Sequence, residues 1–274
     1  MTVINTNVSA TYSQNAMKTN ARAMSTAMEQ LSTGTRVNSA KDDAAGLSIG
    51  QNMTSQIRGL NMAVRNVNDG INMMQTAEGA MVEQSNMLQR MRELAIQSMN
   101  GTYSDTQRGY LDKEYQQLTL QIDRIATDTM WNDQPLLLGT GGSSGTFTYQ
   151  AGQAQGQIIT VSISAMTVNN FGISGSDIGT MSAASSTLDT ISDALEKING
   201  QRALIGAGIN RMEYAADNLS NISSNQTQSR STIIDTDYAV ATTQLAKTQI
   251  IQQASTAMLA QANQQAQGVM ALLK

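Results

Sequence analysis

The stretch MTSQIRGLNMAVRNVNDGINMMQTAEGAMVEQSNMLQRMRELA, residues 53–95, decides the fold. Its apolar residues recur alternately four and three positions apart, which is the spacing of a heptad stripe along one face of a helix. The stripe consists of Met53, Ile57, Leu60, Val64, Val67, Ile71 and Met74. After a three-residue stutter it continues through Ala77, Met81, Gln84, Leu88, Met91 and Ala95. One continuous helix can carry the whole pattern.

This helix has recognisable ends. The acidic pair Asp42-Asp43 stands near its start, where the helix dipole favours negative charge, and Asn100-Gly101 is a typical C-terminal stop. A helix of that length extends on the order of 70 Å at ~1.5 Å per residue, and it cannot bury its own apolar stripe. The rest of the chain must therefore supply partner surfaces.

The composition favours helical seams over a globular core. Of 274 residues only one is Trp, seven are Tyr, two are Phe and one is Pro, whereas 18 are Met. Charged residues make up 14%, against roughly 25% in typical soluble domains. The net charge of −4 comes without any run of Lys or Arg, so neither a nucleic acid nor an anionic membrane is an expected partner.

Catalysis and membrane insertion are not expected. The chain has no Cys and no His, which removes thiolate chemistry, the commonest general base and the commonest metal ligand. Asp42-Asp43 is interpreted as a helix start, because no nucleophile or base accompanies it. We therefore expect a non-enzyme with no catalytic, cofactor-binding or metal-binding residues. No signal peptide is evident at the N-terminus, and no run reaches 18 apolar residues.

Both terminal segments predict helices that are only weakly apolar. The first has a stripe of Ala10, Met17, Ala21, Met24, Met28 and Leu31 and ends at Thr33-Gly34. The last follows the cap Asp235-Thr236-Asp237 and has an apolar face of Ile251, Ala254, Met258, Ala262, Val269 and Leu272. Since Met and Ala bury little area individually, such helices need another surface to order them.

Further elements are predicted between the termini. Ser39 and Asp42 resemble a capping box, and Ser104-Asp105-Thr106-Gln107 opens a helix that folds back on the long one. Residues 130–135 predict a loop, and alternation within residues 146–164 predicts a β-hairpin in a Gly- and Ser-rich excursion. The return helix is predicted to start near the capping pair Ser186 and Asp189. Its seam consists of Leu188, Ile191, Leu195, Ile198, Ile205, Ile209, Met212, Ala216 and Leu219.

The predicted fold is mainly α: a long antiparallel helical coiled-coil bundle with one small β-hairpin excursion and with the N- and C-terminal helices paired. We expect an inner-core domain at 1–44, a rod domain at 45–230 and a second inner-core segment at 231–274. Within the rod, helices are expected at about 45–100, 104–129 and 186–230, with the hairpin at about 146–164.

Self-association is the function that these residues favour. Both terminal helices are amphipathic, too weakly apolar to be stable alone, and poor in charges that would repel a neighbour. A membrane-surface helix would prefer Trp, Phe and Leu opposite rows of Lys and Arg. An intracellular coiled-coil scaffold would carry charges beside its seams, which this chain lacks. A polymer with the chain ends in its interior fits best.

Three segments resemble bacterial flagellin: VINTN at residues 3–7, LSTGTRVNSAKDDAAGLSI at 31–49 and LAQANQ at 259–264. The resemblance covers about 1–135 and 185–274 and indicates a short form without the variable outer domains. It implies that the terminal helices form the filament core. The self-assembly residues expected there are Met17, Met24, Met28, Leu31, Ile251, Met258, Leu259, Val269 and Leu272. Two departures are Ala266, where the family commonly has proline, and Met130-Trp131-Asn132, where Phe-Asn-Gly is usual.

The resemblance also implies partners and a location. They are other copies of the chain, hook-junction and cap proteins, an export chaperone and the flagellar type III export apparatus, with secretion into an extracellular filament used for motility. A hook-filament junction protein and a non-flagellar coiled-coil scaffold are the alternatives.

Residues 88–97 are similar to the family's rod motif, which in many flagellins is bound by an innate Toll-like receptor. The positions that match are Gln89, Arg90, Glu93, Leu94 and Glu114. The competing interpretation is that the apolar residues belong to the helix seam and the charged residues hold neighbouring subunits together.

Overall fold

The computed structural model describes residues 6–271, with side chains as far as residue 264. The helices are α1 (Val8–Thr33), α2 (Ala44–Ser98), α3 (Asp105–Asp128), α4 (Gly141–Ser144), α5 (Val168–Phe171), α6 (Met181–Ile234) and α7 (Tyr238–Ala271). The strands are β1 (Met130–Trp131), β2 (Gln134–Pro135), β3 (Thr146–Gln150) and β4 (Ile158–Ser162). The mainly helical class is confirmed.

The chain divides into two compact units. The terminal unit comprises the residues up to Ile57 and from Ser224 onward, and the central unit is Arg58–Ser223. Helices α2 and α6 contribute to both units. The predicted boundaries between inner-core and rod domains, at 44/45 and 230/231, describe where each segment would lie in a filament. The structure of a single chain does not test them, so they remain a prediction.

The seams predicted for the central unit are confirmed. Leu60, Val67, Met81, Leu88 and Ala95 of α2 are buried, as are the positions between them in the stripe except the half-buried Val64. Helices α2 and α6 run antiparallel. The hydroxyl of Ser223 donates to Oδ1 of Asn61 over 2.9 Å, and Arg202 Nη2 lies 3.6 Å from Glu78 Oε1. The two long helices are thus neighbours in the central unit, and their stripes belong to one buried core that also contains residues of α3 and of the hairpin.

One predicted helix start and one predicted helix cap are wrong, whereas α2 begins within one residue of the expected position. Helix α6 begins at Met181, five residues before Ser186, because the hydroxyl of Thr180 accepts the N–H of Ala183 at 3.2 Å and caps the first turn. Helix α2 is capped by Asp43, whose Oδ1 accepts the N–H of Gly46 at 2.8 Å. Hydrogen bonds from the N–H and hydroxyl of Ser39 to Asp42 close a separate turn upstream, which has the same sequence signature as a cap.

The start of α3 is confirmed. Ser104 and Gln107 form a capping box in which each side chain bonds the other residue's backbone N–H. The box begins α3, in which Tyr115 and Ile122 are fully buried. Burial raises the pKa of the Tyr115 hydroxyl, which lies 2.6 Å from the Ser176 hydroxyl.

The predicted hairpin is confirmed as β3 and β4, with Phe147 opposite Val161 and Tyr149 opposite Ile159. Two buried glutamines attach the excursion to the long helices. Gln84 donates to the carbonyls of Ile122 and Met166 over 3.2 and 3.0 Å. Gln201 accepts the N–H of Ser164 and donates to the carbonyl of Ser162.

Residues 130–135 form a second hairpin rather than the loop expected from the sequence. Strands β1 and β2 pair antiparallel, with Trp131 opposite Gln134. Asn132 and Asp133 have φ values of 48° and 62°, as the two central residues of a type I′ turn require. Asp tolerates positive φ less well than Gly, so this turn is strained at Asp133.

We expect Asp133→Gly to stabilise the central unit by roughly 0.5–1 kcal/mol, because glycine adopts positive φ without steric cost. Urea unfolding followed by circular dichroism measures this change. Gln134→Gly in β2 is the matched control and should destabilise the protein, because it places glycine where the backbone is extended. A loss of stability in Asp133→Gly would contradict the assignment of strain to this turn.

Candidate assembly surface

Helices α1 and α7 of the terminal unit form an antiparallel pair. The Asn7 amide donates to the carbonyl of Ala262 over 3.2 Å at one end, and the N–H of Thr236 donates to the carbonyl of Gly34 over 3.1 Å at the other. Cα atoms of the two helices approach within 8 Å. The pairing of the N- and C-terminal helices expected from the sequence is confirmed.

The seam between these helices is narrow and partly polar. On α1 it consists of Ala10, Ser13, Met17, Asn20, Met24, Ala27 and Leu31, and on α7 of Ala241, Leu245, Thr248, Gln252, Ser255, Leu259 and Ala262. Both sets keep the heptad spacing of three and four. In this seam only Asn20, Ala27, Ala241 and Thr248 are buried, and the other members are half-buried. Small side chains let the backbones approach closely, but they bury little apolar area.

The predicted stripes of both helices were partly wrong. Ala21 and Met28 of α1 lie off the seam, and Asn20 and Ala27 take their places. On α7 the seam contains Ala262, whereas Ile251, Ala254 and Met258 are exposed. Apolar periodicity does not reveal Asn20, because the residue at this seam position is polar.

The structure places the expected self-assembly residues in two groups. Met17, Met24, Leu31 and Leu259 are half-buried in the seam. Met28, Ile251 and Met258 are exposed by 48%, 38% and 63% and flank the seam, each next to a seam residue in the chain. Residue Leu272 and the side chain of Val269 lie outside the described residues.

Large apolar side chains remain uncovered on this helix pair. They include Val8 and Tyr12 on α1, and Val240, Ile250, Ile251 and Met258 on α7. Lys247 is the one charged residue in the sequence of α7. A helix of 34 residues with one charge and exposed apolar residues is suited to packing against another apolar surface.

A charged cluster lies where α2 faces α3 in the central unit. Nη2 of Arg90 is 2.9 Å from Oε1 of Glu114, and its Nη1 is 3.0 Å from Oε2 of Glu93. All three side chains are about half exposed or more, and hydrogen bonds to the two carboxylates raise the pKa of Arg90. Gln89 is exposed beside them.

Leu94 does not belong to this exposed cluster. It is fully buried in the core, although the sequence places it on the same motif as Arg90 and Glu93. A direct contact between Leu94 and a receptor is therefore not available in this conformation.

Residues 6–271 contain no group of three or more His, Cys, Asp or Glu side chains placed to hold a metal ion. Within the same range, every helix is too short or too polar to cross a membrane.

Comparison with known proteins accounts for the paired terminal helices. Residues 4–141 match the bacterial flagellin N-terminal helical region, and residues 188–273 match the bacterial flagellin C-terminal helical region. The chain belongs to the bacterial flagellin family. This flagellin is 41% identical over 274 residues to a flagellin of Halalkalibacterium halodurans, covering 99% of this chain and 100% of the relative. It is 40% identical to the flagellar filament 31.3 kDa core protein of Treponema maltophilum, with 99% and 100% covered.

Solved structures agree with this assignment. The crystal structure of Bacillus cereus flagellin superposes with a TM-score of 0.52 at 31% identity, covering 57% of this flagellin and 88% of that chain. A putative flagellar hook-associated protein from Vibrio parahaemolyticus gives a TM-score of 0.60 over 70% of this chain and 99% of its own, at 15% identity. The second likeness shows a shared fold alone. The short form expected from the sequence fits the length of this flagellin, and the expected non-enzyme agrees with a family of structural proteins.

Proposed function

We propose that this chain is the structural subunit of a bacterial flagellar filament and that it polymerises through the exposed apolar residues of the α1–α7 pair. The observation that carries the proposal is the uncovered apolar face of α7, with Ile251 and Met258 exposed and one charged residue along the whole helix. Membership of the flagellin family supports the same role.

Helices α1 and α7 bury too little apolar area against each other to be well ordered alone, which supports assembly as the step that orders them. Burial of apolar area contributes about 25 cal/mol per Å², and the seam of Ala, Ser and Thr residues removes little such area from water. The large apolar side chains of α7 point elsewhere, so most of the available hydrophobic free energy is gained only when a neighbouring copy covers them. Low charge keeps electrostatic repulsion between copies small.

Seeded growth tests this function. Purified chain is mixed with sheared fragments of its own filaments, and elongation is followed by light scattering and by electron microscopy of negatively stained samples. We expect long filaments to grow from the fragments. A hook-filament junction protein would end growth after a short segment, and a coiled-coil scaffold would ignore the fragments, so either result would overturn the proposal.

Export and assembly partners follow from the same role. We propose that an export chaperone delivers the chain to the flagellar type III export apparatus, that it starts on hook-junction proteins and adds beneath a cap protein, and that the filament is extracellular. A fold with weakly apolar terminal helices and no disulfides suits passage through the apparatus unfolded. Retention of the chain in cells that lack a working export apparatus is the expected result.

A second proposal concerns the exposed Arg90 cluster. We propose that Gln89, Arg90, Glu93 and Glu114 of the free chain are contacted by an innate Toll-like receptor, with Leu94 supporting the surface from within the core. A guanidinium held by two carboxylates is presented in one orientation, as residues that dominate interfaces often are.

Arg90→Ala is expected to lower the potency of the monomer on receptor reporter cells by about tenfold, which corresponds to the loss of ~1.4 kcal/mol of binding. Arg124→Ala is the matched control, because Arg124 also lies in an exposed ion pair, with Asp128. Leu94→Ala would not be a clean test, since a cavity at this buried site costs about 2–5 kcal/mol of stability. Inactive wild-type monomer, or full activity of intact filaments, would contradict the proposal.

A further inference from the structure

The turn between α2 and α3 contains an Asn-Gly pair that is accessible to water. Asn100 and Gly101 both lie outside the helices, and both are exposed. In the described part of the chain, the N–H of Gly101 has no hydrogen-bond partner. Glycine also carries no Cβ that would crowd this nitrogen. The nitrogen of Gly101 is therefore free to approach Cγ, the amide carbon of the Asn100 side chain.

Hydrogen-bond donors hold both carbonyl oxygens of Asn100. The main-chain oxygen accepts from Nη2 of Arg108 at 3.0 Å and from the N–H of Tyr103 at 3.3 Å. The side-chain oxygen, Oδ1, accepts the N–H of Thr102 at 3.1 Å, which closes an Asx turn. The Asx turn folds the asparagine side chain towards the backbone that follows it.

These donors lie where cyclisation of Asn100 would place negative charge. Loss of the proton from the Gly101 N–H puts charge on the main-chain oxygen of Asn100, which faces the Arg108 guanidinium. Attack of the nitrogen on Cγ puts charge on Oδ1, which faces the N–H of Thr102. Donors already aimed at an oxygen that becomes charged lower the barrier to its formation. Arg108 is 7% exposed, so salt screens its charge weakly.

We propose that Asn100 is a site of spontaneous modification, which the α2–α3 turn converts to isoaspartate. The Gly101 nitrogen loses its proton to solvent base and bonds to Cγ, and the side-chain nitrogen leaves as ammonia. The product is a five-membered cyclic imide, which water then opens. If water adds to the former main-chain carbonyl, the bond from that carbon to Gly101 breaks. The chain then continues through Cγ, and a free α-carboxylate remains.

Arg108 favours this product over ordinary aspartate. Its guanidinium donates to the main-chain carbonyl oxygen of Asn100, so it directs water to that carbon rather than to Cγ. The α-carboxylate that forms then faces the guanidinium and makes a charge-assisted pair with it. The turn gains one negative charge. This reaction belongs to the central unit and does not depend on filament formation.

A second Asn-Gly pair in the same chain serves as the internal control. Asn199 and Gly200 are also exposed, but they lie inside α6. A helix engages the N–H of Gly200 with the carbonyl four residues earlier, which keeps this nitrogen from attacking. Folding should therefore protect Asn199 and activate Asn100.

The full-length chain is incubated folded and, in parallel, unfolded in urea at the same pH and temperature. Mass spectrometry of its peptides measures deamidation at Asn100 and at Asn199, and labelling by an isoaspartyl methyltransferase counts isoaspartate. We expect folding to speed the reaction at Asn100 by at least about threefold and to slow it at Asn199 by more than about tenfold. The isoaspartate share at Asn100 should be higher in the folded chain. Protection of both residues by folding would overturn the proposal.

Arg108→Met separates activation from structural support. It should slow conversion of Asn100 about tenfold and lower the isoaspartate share, because the donor to the main-chain carbonyl is lost. If Arg108 only held the turn in place, its loss would loosen the turn and speed the reaction. An unchanged or faster rate would therefore overturn the proposal. Arg124→Met, an exposed residue of the same helix, should leave the rate unchanged.

Gly101→Ala tests the identity of the attacking nitrogen. The added methyl group crowds this nitrogen and should slow conversion of Asn100 about tenfold. No heavy atom lies within 4 Å of the Cβ that alanine would add, so the variant should fold normally. Circular dichroism checks that each variant keeps its helices. An undiminished rate in a folded Gly101→Ala variant would show that direct attack by water causes the deamidation, against the proposal.

Discussion

Ile251→Asp combined with Met258→Asp is expected to abolish seeded filament growth while leaving the chain folded. The two residues are seven positions apart and thus share one side of α7, where they are exposed by 38% and 63%. In the free chain the new carboxylates are hydrated and cost little. If a neighbouring copy covered this face, the carboxylates would lose their water without gaining partners. This desolvation costs several kcal/mol per ion. The critical concentration for growth should rise by more than about 100-fold.

Gln249→Asp with Thr256→Asp is the matched control. These residues are exposed, have the same spacing and add the same charge, but lie on the other side of the seam, where α7 presents polar residues. They should reduce growth much less. Equal loss of growth in both variants would show that net charge inhibits assembly, and undiminished growth of the Ile251 and Met258 variant would show that this face is not the contact.

Arg108→Met is expected to destabilise the central unit by about 3 kcal/mol, because it removes charge-assisted hydrogen bonds from a buried site. Arg108 is 7% exposed. Its guanidinium donates to the carbonyls of Ser98 and Asn100 over 2.7 and 3.0 Å and lies 3.2 Å from Oδ1 of Asp105. The positive charge thus stabilises the C-terminal end of α2, where the helix dipole is negative. Urea unfolding followed by circular dichroism measures the loss.

Arg124→Met provides the comparison in the same helix. Arg124 pairs with Asp128, and both side chains are mostly exposed, so its removal should change stability by less than about 0.5 kcal/mol. Hydrogen exchange should also accelerate at the amides of residues 99–103 in Arg108→Met alone. Similar unfolding midpoints for the two variants would contradict the role assigned to Arg108.

Much of the central unit could be predicted from apolar spacing. In α2 a heptad stripe with one phase shift after Met74 carries mostly large apolar side chains from Leu60 to Met91. Burying these side chains leaves few alternatives for the face of α2 that turns inward. The box at Ser104 and Gln107 involves residues three apart, so the chain signals it locally. Where two local signals were equivalent, as at Ser39 and Asp43, spacing alone could not choose between a turn and a cap.

The polar residues that stabilise each unit from within were not predictable in the same way. Gln84, Gln201 and Arg108 bind backbone carbonyls, which every residue possesses, so no partner is marked in the sequence. The sequence does not mark the role of Asn20 either, because its partners, Thr248 and Gln252, follow more than 200 residues later. Such contacts become visible only when the elements are placed side by side.

By itself the sequence determined the helices, the antiparallel pairing of the long seams, the β-hairpin and the family, because apolar periodicity and turn residues act locally. The tertiary structure decided which side of each terminal helix faces the other and which side remains free. In α1 and α7 two faces are almost equally weak in apolar residues, so spacing favours neither. The small residues that allow close backbone approach and the buried amide of Asn20 face the seam, and Ile251 and Met258 remain exposed.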